Sequence, residues 1–539
     1  MKKSIFIHLI VLIAFFTSCD PQTENNAVTT LTILQTADIH GQLLPHDELF
    51  WEDEKIVFRK LGGMAHMKTL FDEERAKNPQ GTLVIDGGDL IQGSAVAALS
   101  EGAAFAPIIK AMNYDLLIPG NWEVVYGMEK MLNVMKGYET PVIAANMYDE
   151  MTGETLFPQY FIKEMNGIKL GFISYNDPEV PIRQNPSFSE GMRFDPIDEN
   201  LELLINELKD NQNVDLLFLV THIGISKQFD LSNNPVLSKV DYVLGNDTHE
   251  RIRKPVQGQH AKLTEPGAFA SFVGKLTLKI KDGKIIEEDY ELMEVDPAKY
   301  AADETVAGII EQEMSPYQEE IDRVLGYTTT PLYRYFVVEN PMDNFITDAA
   351  RWKTGADISF SNGFRFSPPL SIGADGKAAI TKGYLWSMLP VNAEVKIGQA
   401  TGEQIKNWLE QELHNVFAEN PTERFGGWLV RFSGMKLTFN AQAPKGQRVV
   451  SIMVGDEPID MDRLYTLSAC DREGEPIHIL CRMKNTVNTE VQDYNLHDMI
   501  EEYLAEVGTI SPQKDGRAQA LDIGDNVLSQ LPGTDYHFH

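Results

Sequence analysis

The sequence predicts an α/β protein of two domains, and three observations support this prediction. The 539 residues are 43% hydrophobic, enough to bury sizeable cores. Five short apolar segments, each followed by a polar loop, recur along the first half of the chain. This pattern stops near residue 300, where an acidic, helix-like stretch begins. Because α/β proteins place polar side chains at the carboxyl ends of buried strands, we expect the functional groups of the first domain to lie in those loops.

The five apolar segments are predicted to be buried strands, and two or three further strands over 255–300 close the first domain. The five segments are residues 31–35, 82–86, 115–119, 215–220 and 240–244. The predicted organisation is a first domain over 31–300, a linker helix over 301–330, a second domain of mixed helices and strands over 331–510, and a loosely ordered tail over 511–539.

Carboxylate, amide and imidazole side chains follow the five predicted strands. They are Asp38, His40, Asp89, Asn121, His222, Asp247 and His249. A mixed nitrogen and oxygen set suits Mn²⁺, Zn²⁺ or Fe better than a thiolate site would. Two such cations can clamp an anionic group and lower the pKa of a shared water. One residue of this kind is usually a cap or a structural histidine, but seven in order predict a dinuclear metal site.

The first 30 residues have the pattern of an export signal. Lys2 and Lys3 precede an apolar run over 5–16, which has the length of a signal segment and is too short to span a membrane. The following Phe-Thr-Ser-Cys resembles a bacterial lipobox. It predicts a signal peptide over 1–19, a lipid anchor on Cys19 and a flexible tether over 20–30, with the protein facing the periplasm or the cell surface. A plain secretory signal with an incidental Cys19 is the alternative.

Charge and cysteine content limit the partners. The formal net charge is −32, and an acidic surface repels the nucleic-acid backbone, which argues against a nucleic acid polymer as partner. The two cysteines beyond the signal are Cys470 and Cys481. A disulfide between them and two free thiols are both open at this point.

Five motifs of the first half resemble, in order, those of the calcineurin-like metallophosphoesterases, and more narrowly those of the 5′-nucleotidases. They are Thr-Ala-Asp-Ile-His-Gly from 36, Gly-Gly-Asp-Leu-Ile-Gln-Gly-Ser from 87, Gly-Asn-Trp-Glu from 120, Thr-His from 221 and Gly-Asn-Asp-Thr-His-Glu from 245. The resemblance implies a four-layer α/β/β/α first domain and a smaller α+β substrate domain. It implies one metal on Asp38, His40, Asp89 and His249, and a second on Asp89, Asn121, His222 and Asp247.

The second half resembles the C-terminal substrate domain of 5′-nucleotidases, with Ser-Asn-Gly-Phe-Arg from 361 and Gly-Gly-Trp-Leu-Val-Arg from 426. The resemblance implies that Arg365 grips the substrate anion, since a guanidinium fork fits phosphate or sulfate oxygens. A surface ion pair is the alternative for Arg365. The implied substrate-binding residues around it are Asn362, Gly363, Phe364, Phe425 and Trp428. Core packing explains the three aromatic residues equally well.

Two residues depart from the family pattern at the catalytic positions. Trp122 stands where the family has a histidine that assists the leaving group, and it joins Asn121 and Arg365 in the predicted catalytic group. Asp247 replaces a histidine ligand, and the hardness of its carboxylate favours Mn²⁺ over Zn²⁺. Trp cannot protonate a leaving group, a loss of about 10²–10⁴-fold for poor leaving groups and far less for a thiolate.

Trp122 and the segment 465–474, which lacks the base-stacking aromatic residue of nucleotidases, point to one subgroup. Four motifs resemble the SoxB group of sulfur-oxidation hydrolases: Trp-Glu-Val-Val-Tyr-Gly from 122, Gly-Asp-Leu-Ile-Gln-Gly-Ser from 88, Gly-Phe-Arg from 363 and Gly-Gly-Trp-Leu-Val-Arg from 426. The members of this group use two manganese ions to release a sulfonate from a carrier-protein cysteine. Three functions therefore stay open. They are hydrolysis of a nucleotide-like phosphoester by a metal-bound hydroxide, SoxB-like hydrolysis of a carrier-protein cysteine thiosulfonate, and non-catalytic binding of a metal or ligand by a surface lipoprotein.

Overall fold

The first half of the chain forms two sheets that face each other. The computed structural model describes residues 28–362, 367–425 and 428–524. The first sheet has the strand order Lys284–Glu294, Phe272–Lys281, Thr29–Thr36, Thr82–Asp86, Leu116–Leu117. The second has the order Val256–Gln257, Lys262–Thr264, Tyr242–Asn246, Leu216–His222, Ile168–Asn176, Tyr160–Met165. Three of the predicted strands thus lie in the first sheet and two in the second.

Both sheets are covered on both faces, which explains why their central strands are continuous apolar runs. Ile33 and Ile85 of the first sheet pack against Phe172 and Phe218 of the second. The outer face of the first sheet is covered by helices Met64–Lys77, Phe105–Met112, Met128–Gly137 and Glu304–Met314. The outer face of the second is covered by Leu201–Asn206 and Ile225–Ser232. The predicted α/β/β/α order of four layers is confirmed.

The second half is a smaller α+β arrangement, as predicted. Its five-stranded sheet has the order Arg431–Ser433, Ile358–Ser361, Leu464–Cys470, Glu394–Thr401, Val487–Asn495. A three-stranded sheet has the order Ala378–Thr381, Val324–Thr328, Thr509–Ile510, and a four-stranded sheet the order Glu457–Pro458, Val449–Val454, Met435–Phe439, Ala518–Ala520. The helices of this half are Pro341–Thr354, Lys382–Met388, Gly402–Phe417 and Leu496–Val507.

Short elements complete the fold. Two-stranded sheets are formed by His46–Glu52 with Lys55–Leu61 and by Met147–Asp149 with Met192–Phe194. Short helical segments are Ala95–Leu99, Glu123–Tyr126, Val180–Arg183, Pro186–Ser189, Ile197–Glu199, Glu207–Asn211, Pro235–Lys239, Ser315–Tyr317, Gln318–Asp322 and Pro421–Glu423. None of the helices in the described ranges is both long and apolar enough to cross a bilayer.

One predicted strand needs correction: the strand expected over 115–119 is only Leu116–Leu117, because Pro119 has no N–H for a ladder bond. In the stretch predicted as a linker helix, Val306 and Ile310 pack into the core of the first half. The predicted tail contains strand Ala518–Ala520, which pairs in parallel with Met435–Phe439. Residues 525–539, like Cys19, lie outside the described part.

The hairpin His46–Glu52 with Lys55–Leu61 joins the two halves. Its buried Glu48 accepts hydrogen bonds from Arg251 of the first half and from the Tyr335 hydroxyl of the second. Trp51 lies edge-on to Phe336, with ring centroids 5.8 Å apart. We call these residues, Glu48, Arg251, Tyr335, Trp51 and Phe336, the hairpin joint.

Candidate metal centre and substrate cleft

The predicted metal-binding side chains lie at or just beyond the carboxyl ends of strands of both sheets. The Gln35 side chain links the two sheets there by donating to the Gly245 carbonyl and to Asn246 Oδ1, at 3.0 and 3.1 Å. Five of the seven predicted ligands have positive φ, although none is glycine: Asp38, His40, Asp89, Asp247 and His249. Such backbone strain is rare and concentrates at functional sites. The fold therefore holds these loops in conformations that their residues alone would avoid.

Two overlapping groups of side chains converge at this point. Asp38, His40 and His249 form one group, and Asp38, Asp89 and His222 form the other, with ligand atoms within 4.8 Å of one another in each group. Asp38 belongs to both groups, and its buried Oδ1 makes no hydrogen bond. Overlapping clusters with a shared carboxylate are what two neighbouring cations require.

The ring nitrogens of two histidines are oriented as metal ligands. His222 Nδ1 lies 2.7 Å from the Gly87 carbonyl, and His40 Nδ1 lies 3.0 Å from the Gln92 carbonyl. A carbonyl only accepts, so each Nδ1 carries a proton and each Nε2 is the ring nitrogen that faces the cluster. His222 Nε2 then faces Asp89 Oδ2 at 3.1 Å, and His40 Nε2 faces His249 Nε2 at 3.0 Å. Contacts this short require a proton between the two atoms in the metal-free site, or a cation in its place when metal is bound.

The side-chain amide of Asn121 lies in the same cluster. Its amide oxygen lies 2.9 Å from Asp89 Oδ2 and 3.3 Å from His222 Nε2, so it faces only acceptors. Rotating the amide would instead let it donate to Asp89, which is the expected orientation without metal. In either orientation the end of this side chain lies beside Asp89 and His222, so its oxygen can reach a cation held jointly with them.

Burial and mutual attraction shift the pKa values of the cluster. Burial raises the pKa of Asp38 well above its usual range. Burial would also raise the pKa of Asp89, but His222 and His40 outweigh it and lower that pKa. Burial would lower the pKa of His222, but Asp89 and Asp38 raise it well above its ordinary value. Without metal the cluster therefore holds protons that divalent cations would displace on binding.

Asp247 lies at the edge of this arrangement. Its Oδ1 is 3.9 Å from His222 Nε2, and it belongs to neither of the two groups found among the described residues. The Arg183 guanidinium instead holds both oxygens of the Asp247 carboxylate, at 3.2 Å each, and also binds the buried Asp177. Burial would lower the pKa of Arg183, but Asp247 and Asp177 outweigh it, so the guanidinium stays charged.

Glu123 holds two of the metal-binding loops through hydrogen bonds to their backbone. Its fully buried carboxylate accepts hydrogen bonds from the backbone N–H groups of Asp89, Leu90 and Gly120, at 2.9, 2.6 and 2.6 Å. The backbone N–H of Trp122 in turn donates to Asp89 Oδ1 at 2.7 Å. The Gly-Asn-Trp-Glu segment therefore positions Asp89 in two ways: the Trp122 backbone N–H binds the Asp89 carboxylate, and the Glu123 carboxylate binds the Asp89 backbone. Neither contact uses the side chain at position 122.

Comparison with known families agrees with this geometry. The profile described as "Calcineurin-like phosphoesterase" matches residues 31–254, and the profile "5'-nucleotidase, C-terminal domain" matches residues 324–471. Residues 31–254 therefore belong to the calcineurin-like phosphoesterases, and residues 324–471 to the 5′-nucleotidase C-terminal domains. In this phosphoesterase the first profile covers all seven predicted metal-binding residues, and the second covers Arg365.

Two curated relatives illustrate the kinship. The phosphoesterase is 24% identical to the trifunctional nucleotide phosphoesterase protein YfkN of Bacillus subtilis over 70% of this chain and 30% of that protein. It is 27% identical to a 5′-nucleotidase of Vibrio vulnificus over 52% of this chain and 54% of that protein. The chain thus spans about half the length, or less, of these relatives.

Two solved structures share the fold over nearly the whole chain. The sulfate thiohydrolase SoxB of Thermus thermophilus superimposes with a TM-score of 0.82 at 21% identity, covering 93% of this chain and 98% of that one. A 5′-nucleotidase precursor of the same species gives a TM-score of 0.80 at 21% identity, covering 92% and 100%. At this identity the likeness shows the fold alone.

A cavity of about 120 Å³ between the two halves of the phosphoesterase adjoins the metal-binding loops. From the first half it is lined by Trp122, Arg183 and Gln184, and from the second by Asn362 with mostly apolar side chains such as Met388. Of the predicted substrate-binding residues, Asn362 thus reaches this cavity. Phe425 and Trp428 are not part of its described lining, and Gly363, Phe364 and Arg365 lie outside the described residues.

The segment after strand Leu464–Cys470 docks on the first half. Arg472 donates to the carbonyls of Ile182, at 2.6 Å, and Gln184. Arg472 thereby fixes the loop that carries Arg183. Cys470 and Cys481 are free thiols, and Cys470 lines the cavity.

Sequence reasoning missed Arg183, Gln184, Glu123 and Arg472. Glu123 stands in a quoted motif and could have been found through its fixed place beside Asn121. Arg183 and Arg472 have no motif of their own, because their positions depend on contacts across 64 and about 290 residues.

Proposed function

We propose that this chain is a dinuclear metal-dependent hydrolase of 5′-nucleotidase type that cleaves a nucleotide-like phosphoester. One observation carries the proposal: imidazole nitrogens and carboxylate oxygens from both sheets converge in two groups that share Asp38. When bound, two divalent cations, Mn²⁺ foremost and Zn²⁺ or Fe otherwise, would activate water and neutralise the ester oxygens. The relatives named as nucleotide phosphoesterase and 5′-nucleotidase support this class of ester.

The predicted ligand sets fit this proposal with one modification. Asp38, His40, Asp89 and His249 would hold one cation, and Asp89, Asn121 and His222 the other. Both observed groups share Asp38, whereas these sets share Asp89, whose Oδ2 lies 3.7 Å from His40 Nε2 and 3.1 Å from His222 Nε2 and so reaches both. Asp247 is proposed as a weaker ligand, because the Arg183 guanidinium engages both of its oxygens. The cavity beside Trp122 would receive the rest of the substrate and exclude bulk water, and Arg365 would grip its anion.

A second candidate is SoxB-like hydrolysis of a cysteine thiosulfonate on a carrier protein. The observation that favours it is Trp122, whose indole lines the cavity where the family places an acid for the leaving group. A thiolate leaves without protonation, so this chemistry does not need the missing histidine. The segment that carries Arg472 also favours this candidate. By the resemblance, nucleotidases bind the base with this segment, whereas here Arg472 binds the first half of the chain.

Turnover of two substrates by one Mn²⁺-loaded preparation tests both candidates. AMP and a cysteine peptide capped with thiosulfonate are supplied at equal concentrations, and phosphate and sulfate release are measured. Phosphate release from AMP supports the first candidate, and sulfate release from the peptide alone supports the second. Failure of both reactions in protein with two bound metals per chain would contradict hydrolase function and favour a metal- or ligand-binding lipoprotein.

We also propose that the chain is exported and attached to the membrane only through a lipid on Cys19. The signal-like sequence before Cys19 supports this. In a bacterial host fed with labelled palmitate, the wild-type chain should be labelled and Cys19→Ala should not. An unlabelled wild-type chain in the membrane-free fraction would contradict the anchor.

A further inference from the structure

The loop at 177–185 brings a second arginine to the metal centre, besides the predicted Arg365. Arg183 lines the cavity together with Trp122, and its guanidinium binds the same Asp247 that approaches His222. Its side chain is 12% exposed, so the guanidinium is largely screened from bulk water. A charge in such a place acts strongly on any ligand that enters the cavity.

The guanidinium has donors to spare. Arginine carries five N–H groups. The Nη1 atom uses its two on Asp177 and Asp247, and Nη2 uses one on Asp247. No other hydrogen bond of Arg183 is found within the described ranges, so the Nε–H and one Nη2–H stay available. An arginine that served only to neutralise Asp247 would not need to line the cavity.

The position of this guanidinium is fixed in advance. Asp177 is fully buried and is itself held by the backbone N–H of Glu179, at 3.0 Å, so it forms a rigid base for Arg183. From the second half, Arg472 holds the carbonyls on either side of Arg183, those of Ile182 and Gln184. A cation oriented in this way loses little entropy when it binds an anion, which raises its contribution to affinity.

We propose that Arg183 is a substrate-binding residue that donates to the oxygens of a tetrahedral oxyanion, the phosphoryl or sulfonyl group of the substrate. This inference rests on the proposed function. It identifies the shared chemistry of the two candidate substrates, since both present such an oxyanion to the metal centre. It also gives Asp247 a role. Asp247 stands where the family has a histidine ligand, and its carboxylate holds the Arg183 guanidinium beside the metal site.

The test measures oxyanion binding without turnover. Inorganic phosphate and, separately, sulfate are titrated into Mn²⁺-loaded wild type, Arg183→Met, Arg183→Lys and the control Arg193→Met, and bound manganese is counted by mass spectrometry. Arg193 is 44% exposed and pairs with Asp195 away from the cavity. We expect Arg183→Met to weaken the preferred oxyanion about 10- to 100-fold with manganese unchanged, Arg183→Lys to weaken it less, and Arg193→Met to have no effect.

Three results would overturn the inference. One is unchanged oxyanion affinity in Arg183→Met, and another is a loss of affinity that follows a loss of manganese, because Arg183 would then act only through Asp247. The third is a wild-type protein that binds neither phosphate nor sulfate. The proposed function is tested separately, by the turnover assay on AMP and the capped peptide. If Arg183→Met does not fold, Arg183→Lys decides, since a lysine cannot present two coplanar donors and wild-type affinity in that variant would refute the proposal.

Discussion

Replacing Glu123 by glutamine should weaken metal binding, although Glu123 touches no metal. Its two carboxylate oxygens accept three backbone N–H groups from the loops that carry Asp89 and Asn121. A glutamine amide has one oxygen, so its NH₂ group must face at least one of these buried donors. Leaving one or two donors unsatisfied costs about 1–3 kcal/mol each, so we expect unfolding free energy to fall by about 2–4 kcal/mol.

The displaced loops should also lower metal affinity. Groups that orient metal ligands are typically worth about 10–100-fold in affinity, so we expect Glu123→Gln to bind Mn²⁺ more weakly by that factor. Calorimetric titration of Mn²⁺ into metal-stripped protein measures this, with Glu129→Gln, at an exposed position of the next helix, as control. Unchanged Mn²⁺ affinity in a destabilised Glu123→Gln protein would refute the idea that this carboxylate positions the metal loops.

Three further predictions address the site and the hairpin joint. Asp89→Ala should lose bound manganese, because Asp89 belongs to both predicted ligand sets; near-stoichiometric metal by mass spectrometry would contradict this. Trp122→His should speed hydrolysis of alkyl phosphates up to about 10²–10⁴-fold and p-nitrophenyl phosphate much less, and equal rates for wild type and variant with metals intact would show that the tryptophan is not limiting. Burial alone would raise the pKa of Glu48, but Arg251 foremost lowers it from 4.5 to about 2. Because the folded pKa is the lower one, Glu48 should contribute about 3 kcal/mol above pH 5 that is lost as pH falls toward 2. Urea unfolding from pH 7 to 3 should show about 2 kcal/mol of this loss in wild type, because pH 3 is still above the folded pKa, and an equal loss in Glu48→Gln would contradict it.

Most of the fold could be predicted because its signals are local. Strand Thr82–Asp86 was predicted to the residue, since its apolar run ends at the polar loop that follows. The division of the five strands between two sheets was implied only by the family resemblance, because parallel strands in one sheet and in two facing sheets give the same apolar runs. The domain boundaries near 300 and 330 stay predictions.

The candidate site was less predictable wherever it depends on distant contacts. The sequence pattern placed Asp38, His40 and Asp89 in the correct loops, since each follows its own strand. It gave no reason to expect that Asp247 would face Arg183, because that pair forms only after the loop at 177–185 folds across the ends of the second sheet. Ion pairs of this kind leave no periodic trace in a sequence.

The hairpin joint has a consequence for how the enzyme can work through a catalytic cycle. Swinging the second half away from the first would strip the Tyr335 hydroxyl from Glu48 and lift Phe336 off Trp51, exposing a buried charge and an aromatic surface in one movement. We therefore expect reactants to enter and leave through small movements of the residues at the edge of the cleft, while the two halves keep the same relative orientation. Turnover in this chain should then tolerate a covalent tether between the lobes at the joint, whereas an enzyme that depends on a hinge would be arrested by it.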